Sequence, residues 1–379
     1  MNSDEIIKNT MNWLLNSDIR IKHGDEKGAI YGWKELATSS YPFIYSEIVG
    51  YAITCFAGNY IENFDQQSLN AATEGSSWII KNMKSNVLTA GKTTETKAFD
   101  LKGDLSNQIY SFDNGMILIG LLNLYKANKD PELLQSSVTI ADALIDNFFN
   151  GTKMTALLDN QFKSSDYGQN KWSTLSGSFQ AKIAIGFLKL FKITQKTIYS
   201  EVAYALCDYA LNRQDQNGRF KTNVDDNLTF LHPHLYSCEG LLYSGIEMHE
   251  DRYIEAVMKG LEWAVKQMNI NNGMLPRTTE EHVEQSDCIA QLIRLLIICY
   301  KDLKKRNLQN IDNVIESLCN SLSALYISDK DNGGGIKYQK SSNQICTWCT
   351  MFAWQAFTYY KLLKNENDIP MTEMIEYYI

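Results

Sequence analysis

The sequence predicts an all-α fold, an (α/α)6 barrel formed by a single domain over residues 1–379. Three observations carry that expectation. Segments that are apolar almost all round begin near Ser46, Phe112, Ser176, His234, Ser286 and Thr347, and such helices must be buried on every side. Segments with a one-sided apolar stripe alternate with them, so an inner helix is followed each time by a half-buried outer one. The unit recurs about six times at a spacing of roughly 50 to 65 residues, longer than that of short-period solenoids.

Taken in order, the N-terminal segment offers Ile7, Met11 and Leu14 as an outer face that would pair with the last inner helix, about 347–363, and close a ring. The first inner helix opens at Ser46-Glu47-Ile48-Val49-Gly50-Tyr51, and Leu69, Ala72, Ser76, Ile79 and Met83 form the next outer face. The second opens at Ser111-Phe112-Asp113-Asn114-Gly115. Its outer partner follows Lys129-Asp130-Pro131, with Pro131 suited to a first turn and Leu134, Val138, Ala141, Ile145 and Phe148 as its stripe. Further stripes are Ile198, Val202, Ala205 and Tyr209; Ile254, Val257, Leu261, Ala264 and Met268; and Ile311, Val314, Leu318, Leu322 and Leu325. Turn residues end the outer helices at Asn150-Gly151, Asn217-Gly218, Asn272-Gly273 and Asn332-Gly333-Gly334-Gly335. The longest connection, polar and rich in Lys, Thr and Asp, runs from about Asn86 to Asn107, a length typical of a functional lid or a mobile segment.

The formal charge of -8 and the lack of a basic stripe give no reason to expect nucleic acid. No apolar run reaches the ~18 residues needed to span a bilayer, so membrane insertion is not expected. The start, Met1-Asn2-Ser3-Asp4-Glu5, lacks the basic-then-apolar order of a signal peptide. The eight cysteines are scattered, mostly inside apolar runs, as reduced packed thiols would be. A cytoplasmic address is the expectation.

In a ring of this kind the inner helices run parallel, and their N-termini gather at one end, where unpaired N–H groups and aligned dipoles favour anions. The residues placed there are polar and aromatic: Trp33, Tyr41, Tyr45 and Glu47; Asp113; Trp172, Ser176 and Ser178; His232, His234, Tyr236 and Glu239; Glu284 and Asp287; and Trp348. Carboxylates and imidazoles move protons, and flat aromatic faces pack against the C–H faces of sugar rings. The arrangement resembles the six-hairpin glycosidase superfamily. Phe112-Asp113-Asn114-Gly115 with Tyr125-Lys126-Ala127 resembles its recurring hairpin start, and Asn170-Lys171-Trp172 is similar to part of a segment of the unsaturated-uronyl hydrolases of glycoside hydrolase families 88 and 105. The stretches from Lys171 to Gly186 and from His234 to Gly245 resemble the helical domain of glucuronyl 5-epimerases.

The resemblance implies a carbohydrate-active enzyme that cleaves a glycosidic bond in a uronic-acid-containing or related oligosaccharide by general acid/base catalysis. Asp113 would be the principal acid or base, Glu47 or Asp287 the second carboxylate, and His234 a further catalytic group. Trp33, Tyr45, Trp172, His232, Tyr236, Glu239 and Trp348 would bind substrate. The alternatives are a uronate epimerase or lyase, in which His234 and Tyr236 exchange a proton, and a non-catalytic glycan-binding or assembly protein. Each carboxylate also has a plain reading: Asp113 and Asp287 as helix caps and Glu47 as a complement to the helix dipole.

Neither a cofactor nor a metal is expected. His232-Pro233-His234 has no third ligand at a zinc spacing, and Gly333-Gly334-Gly335 lacks the Lys-Ser/Thr of a phosphate loop. Cys346-Thr347-Trp348-Cys349 has redox spacing without a βαβ context, which favours packed thiols. Asp225-Asp226 reads as a solvated pair. Gln214-Asp215-Gln216-Asn217-Gly218-Arg219-Phe220 approximates a bracing repeat of triterpene cyclases, but no acid motif for that chemistry accompanies it.

Overall fold

The alternation of fully buried and half-buried helices is present in the predicted order. The structure, a computed structural model, describes residues 2–83, 91–93, 108–159, 161–163, 172–222, 228–268, 274–306, 308, 310–330, 332–365 and 374–377. In chain order the elements are α1 (Ser3–Asn16), β1 (Trp33–Glu35), β2 (Phe43–Tyr45), α2 (Ser46–Asn63), α3 (Gln66–Asn82), β3 (Gly91–Thr93) and β4 (Gln108–Tyr110). Next come α4 (Ser111–Asn128), α5 (Pro131–Phe148), β5 (Leu157–Asp159), a 3-10 segment (Ser178–Ile183), α6 (Ala184–Thr194) and α7 (Thr197–Leu211). Then follow α8 (Leu231–Met248), α9 (Asp251–Gln267), α10 (Ser286–Ile298), α11 (Tyr300–Lys305) and α12 (Ile311–Ala324). The chain ends in β6 (Tyr326–Asp329), β7 (Gly333–Lys337), β8 (Gln344–Cys346) and α13 (Thr347–Lys364). Most of the stretch 86–107 lies outside the described residues, as do Asn170, Lys171, Asp225, Asp226, Asn272 and Gly273.

Two units divide the chain: one of Leu15–Ser176 and Lys182–Leu206, the other of Met1–Leu14, Gly177–Ala181 and Cys207–Tyr378. In the first, α2 packs on α3 and α4, and α4 packs on α5 and α6. In the second, α8 packs on α9, while α10 packs on α8, α12 and α13. Every residue of α10 is buried, as is α4 from Ser111 to Leu124. Among the described residues no helix is long and apolar enough to cross a membrane. All eight cysteines are free and buried.

Three sequence expectations shift in detail. In α5 and α7 the outer face is centred about one residue away from the aliphatic stripe, whereas most of the stripe positions of α9 and α12 are buried as expected. In α5 the buried positions are Leu133, Ser136, Ser137, Ile140, Ala141, Ala143, Leu144 and Phe148, with Leu134, Val138 and Ile145 on the flank. In α7 Tyr199 is buried and Ile198 exposed. Small residues make the centre of such a face because they let backbones approach: a Cβ on Gly75 of α3 would lie 3.2 Å from Ile53 of α2. Buried tyrosines also belong to it, because the hydroxyl can reach an acceptor at the rim, as Tyr199 does to Asp142 at 2.7 Å.

Helix starts shift as well. α8 begins at Leu231 rather than at His234, and the third inner helix is preceded by the 3-10 segment, leaving Ser176 outside. Short antiparallel pairings, β2 with β3, β4 with β5 and β6 with β7 with β8, were invisible as alternating patterns because they are only three to five residues long. Gly333 alone of the triple glycine has a positive φ, +91°. Gly334 and Gly335 continue as strand, and a Cβ on Gly335 would sit 2.7 Å from Thr350 Oγ1.

Candidate active site

Strands β2, β4 and β8 run straight into α2, α4 and α13, so Tyr45, Tyr110 and Cys346 are the extended residues that precede these helices. None of the three supplies a side-chain cap. Each junction therefore delivers the first-turn side chains of an inner helix at a fixed place. In the first unit two of those side chains are carboxylates. α2 and α4 touch backbone to backbone: a Cβ on Gly50 would lie 2.8 Å from Ile117 N and 2.9 Å from Met116 C and O. Glu47 and Asp113 each stand three residues before that contact, which brings Asp113 within reach of the charge of Glu47.

Asp113 is 3% exposed, and its Oδ2 has no hydrogen-bond partner among the described residues. Burial and then the neighbouring charge of Glu47 push its carboxyl well above the usual range, against the opposing effect of the Tyr45 hydroxyl and its own backbone N–H. Glu47 is partly exposed at the surface of this cluster. Burial of its carboxyl raises it to about 7, offset by a hydrogen bond with Tyr51 and by the charge of Lys182. Burial, followed by the charges of Asp113 and Glu47, holds the Tyr45 phenol well above its ordinary value, so it stays a donor.

Lys182 is a residue that pattern reading missed. It is buried, its ammonium lies 5.1 Å from the centre of the Tyr51 ring, and it is placed by Ile183, which packs on Gly115 of α4. The signal was available: a lysine inside the apolar run Phe179-Gln180-Ala181-Lys182-Ile183 has to find a buried partner. Asp113 is not the N-cap of its helix, so the capping reading does not describe it, while Glu47 lies in the first turn of α2, where a complement to the helix dipole would stand. Trp33 is buried, donates to Glu35 at 2.6 Å and packs edge-on against Phe43. Trp172 is partly buried in a 3-10 turn, Trp172–Thr174.

A second cluster gathers in the other unit. His232 Nδ1 lies 2.6 Å from Gln291 Oε1 and 3.8 Å from Asp287 Oδ2, and the ring of Tyr236 is 4.3 Å away. Trp348 Nε1 donates to Asp287 Oδ2 at 3.2 Å, and the backbone N–H of Cys288 donates to Oδ1 at 2.7 Å. Asp287, like Asp113, does not cap its helix. Behind the histidine, Gln291 Nε2 and Arg294 donate to Glu239 Oε1 at 3.2 and 2.9 Å, and Arg294 also reaches Gln355 at 2.8 Å. The Glu239 and Arg294 side chains have no solvent exposure. That places Glu239 in a buried ion pair rather than on a substrate-facing wall. Gln291 and Arg294 were also missed, although two polar residues inside Ile289-Ala290-Gln291-Leu292-Ile293-Arg294-Leu295 ask for the same buried partner.

His234 belongs elsewhere, and the expectation that it handles protons meets a geometric obstacle. It is fully buried; Phe220 N–H donates to its Nδ1 at 3.1 Å, and its Nε2 lies 3.1 Å from Gly260 O. The ring is 4.5 Å from that of Trp263. Burial holds its pKa down to about 4, against the pull of the Gly260 carbonyl. Both nitrogens are committed to holding a turn against α9, so the ring is a core element. Gln214 braces the same turn by donating to Gly218 O at 3.0 Å and to Ala256 O at 2.7 Å.

For a metal, the one candidate group among the described residues is His232, Asp287 and Cys288, whose ligand atoms lie within 4.8 Å of one another. The fit is poor. His232 Nδ1 and Asp287 Oδ2 are already hydrogen-bonded, and burial pushes the Cys288 thiol well above the range in which it ionises.

No family model matches the chain, and no curated protein matches it in sequence. Solved structures do match. A sugar epimerase from a ruminal bacterium superposes with a TM-score of 0.78 at 12% identity, covering 97% of this chain and 98% of its own. The cellobiose 2-epimerase of Bacillus thermoamylovorans gives 0.76 at 11% identity, covering 94% and 99%. An unsaturated glucuronyl hydrolase from a Bacillus species gives 0.70 at 10% identity, covering 95% and 97%. The fold is the six-hairpin (α/α)6 barrel that the sequence predicted.

Proposed function

We propose that this protein is a carbohydrate-active enzyme that acts on a glycosidic bond of a uronic-acid-containing or related oligosaccharide by general acid/base catalysis, in a single (α/α)6 domain. The observation that carries this reading is the Glu47–Asp113 pair. Burial raises the proton affinity of both carboxyls and the charge of Glu47 raises that of Asp113 further, so they lose their protons in separate steps, and near neutral pH one is an acid while the other can be a base. Asp113, the more deeply held, donates a proton to the leaving glycosidic oxygen, assisted by the Tyr45 hydroxyl, which stabilises the resulting carboxylate. Glu47, flanked by Tyr51 and Lys182, serves as the base or nucleophile on the other side of the bond. The substrate is an oligosaccharide or sugar acid, met in the cytoplasm, and no cofactor is called on.

A second reading is favoured by the His232–Asp287 cluster, and by a fold shared with proteins named as sugar epimerases. In it the enzyme moves a proton at a sugar carbon next to a carbonyl or carboxylate. His232 is the proton acceptor, in place of His234, and Asp287 stabilises the imidazolium. The experiment that tests the first reading and separates it from the second is a panel of glycosides, including unsaturated uronides, incubated in deuterium oxide. Cleavage without label in the sugar supports hydrolysis. Label without cleavage moves the activity to the epimerase reading, and neither on a broad panel overturns both.

A further inference from the structure

Resting on the second reading, we infer that Arg294, Glu239 and Gln291 form a buried relay that fixes the tautomer of His232, placing its proton on Nδ1 and making Nε2 the basic nitrogen of the site. A guanidinium stays protonated, and Arg294 has no solvent exposure, so the carboxyl it touches at 2.9 Å is held as an anion with acceptors only. The side-chain amide of Gln291 facing Glu239 Oε1 at 3.2 Å must then present its NH2, the only end that can donate. The amide oxygen is thereby turned to His232, 2.6 Å from Nδ1, and an oxygen at that distance requires a proton on the nitrogen. In the neutral ring the remaining nitrogen, Nε2, carries the lone pair.

The consequence is chemical. When Nε2 takes a proton from a sugar C–H, that bond breaks, its electron pair enters the adjacent carbonyl or carboxylate as an enolate, and the ring becomes an imidazolium. Its new charge faces the Asp287 carboxylate, 3.8 Å from Nδ1. Nδ1–H remains on Gln291 throughout, so the ring does not turn. Gln291, Glu239 and Arg294 are positioning residues in this scheme, and none of them touches substrate.

The molecule contains its own reference. His234, two residues away, has the opposite tautomer, because Nδ1 accepts from Phe220 N–H and Nε2 must donate to Gly260 O. Nitrogen NMR of the protein with labelled histidine, at mildly alkaline pH, distinguishes the two forms directly. His232→Gln and His234→Gln assign the signals among the five histidines. The expected result is Nδ1–H for His232 and Nε2–H for His234. In Glu239→Gln, which no longer forces the amide orientation, the His232 signals shift towards the Nε2–H form while those of His234 stay. Gln291→Met, which removes the acceptor, gives the same shift if Glu239→Gln does not fold. A His232 already in the Nε2–H form in the unsubstituted protein, or one unmoved in both variants, overturns the relay. None of these readings depends on turnover, so the relay can fail while the epimerase reading stands, and the reverse.

Discussion

Glu47 and Asp113 each stand three residues ahead of the point where Gly50 of α2 meets Met116 and Ile117 of α4. That shared offset makes a pair of two carboxylates that lie far apart in the chain. The pairing depends on glycine: Gly120 closes on Gly50 from the other side, with its virtual Cβ 2.6 Å from Gly50 O. Gly50→Ala should therefore separate the helices and destabilise the protein by about 1–3 kcal/mol, the usual range for overpacking a closed contact. Chemical denaturation measures it. An unchanged midpoint would mean that the two backbones do not touch.

The same pair sets a pH dependence of stability. The folded-state proton affinity of Glu47 is raised from 4.5 to about 7, so its stabilising contribution is fully present below the unfolded value and disappears as pH rises through about 7. Asp113 is raised too and acts in the same direction. Above pH 6.5, where the opposing contribution of His234 is complete, melting temperature should fall towards pH 8 in the native sequence, and Glu47→Gln should flatten that slope. A native slope of the opposite sign, or a Gln variant with the full native slope, would count against the assignment.

His234 works the other way. Its folded-state pKa is depressed from 6.5 to about 4, so its contribution is present above 6.5 and is lost as pH falls towards 4. His234→Ala leaves the Phe220 N–H and the Gly260 carbonyl without their partner, at about 1–3 kcal/mol for each buried group. Thermal melts should show the loss at neutral pH and a weaker acid dependence in the variant. If His234→Ala kept native stability but lost turnover, the core assignment would be wrong.

Metal independence can be checked directly. Dialysis against a chelator should leave both melting temperature and activity unchanged. Stoichiometric zinc in protein purified without added metal, lost in His232→Ala, would reject this.

Much of this architecture was legible from hydropathy alone, because a helix buried on all sides has to be apolar on all sides, as Leu118 to Leu124 of α4 is. What periodicity could not reveal were partners brought together by packing. Lys182 reads as one residue in a greasy run until Ile183 seats on Gly115, and Arg294 reads as an interruption until Glu239 arrives from another helix. Counting histidines drew attention to His234 as much as to His232, and only the surrounding backbone separates them. The N–H of Phe220 and the carbonyl of Gly260 hold the first, while the second meets the Gln291 side chain at its Nδ1. Aspartate at a helix start has the same sequence signature whether it caps or titrates. The difference is that Asp113 sits inside the first turn and has a buried oxygen with no partner among the described residues.

That oxygen gives the most direct test of the proposed chemistry. If Asp113 is the acid, Asp113→Asn should lower turnover roughly 10²- to 10⁴-fold, the range for a positioned proton-transfer group. Stability should not drop with it, since the amide is nearly isosteric and the folded protein already favours the uncharged carboxylic acid at this position. An amide cannot ionise, so the cost of a buried charge that Asp113 carries at alkaline pH is absent, and a modest gain in melting temperature there is expected. Rate and stability thus move in opposite directions, a signature that a purely structural aspartate would not give. Steady-state kinetics on whichever glycoside the panel identifies, with a thermal melt of the same preparation, measures both. Full turnover by the Asn variant would remove Asp113 from the chemistry.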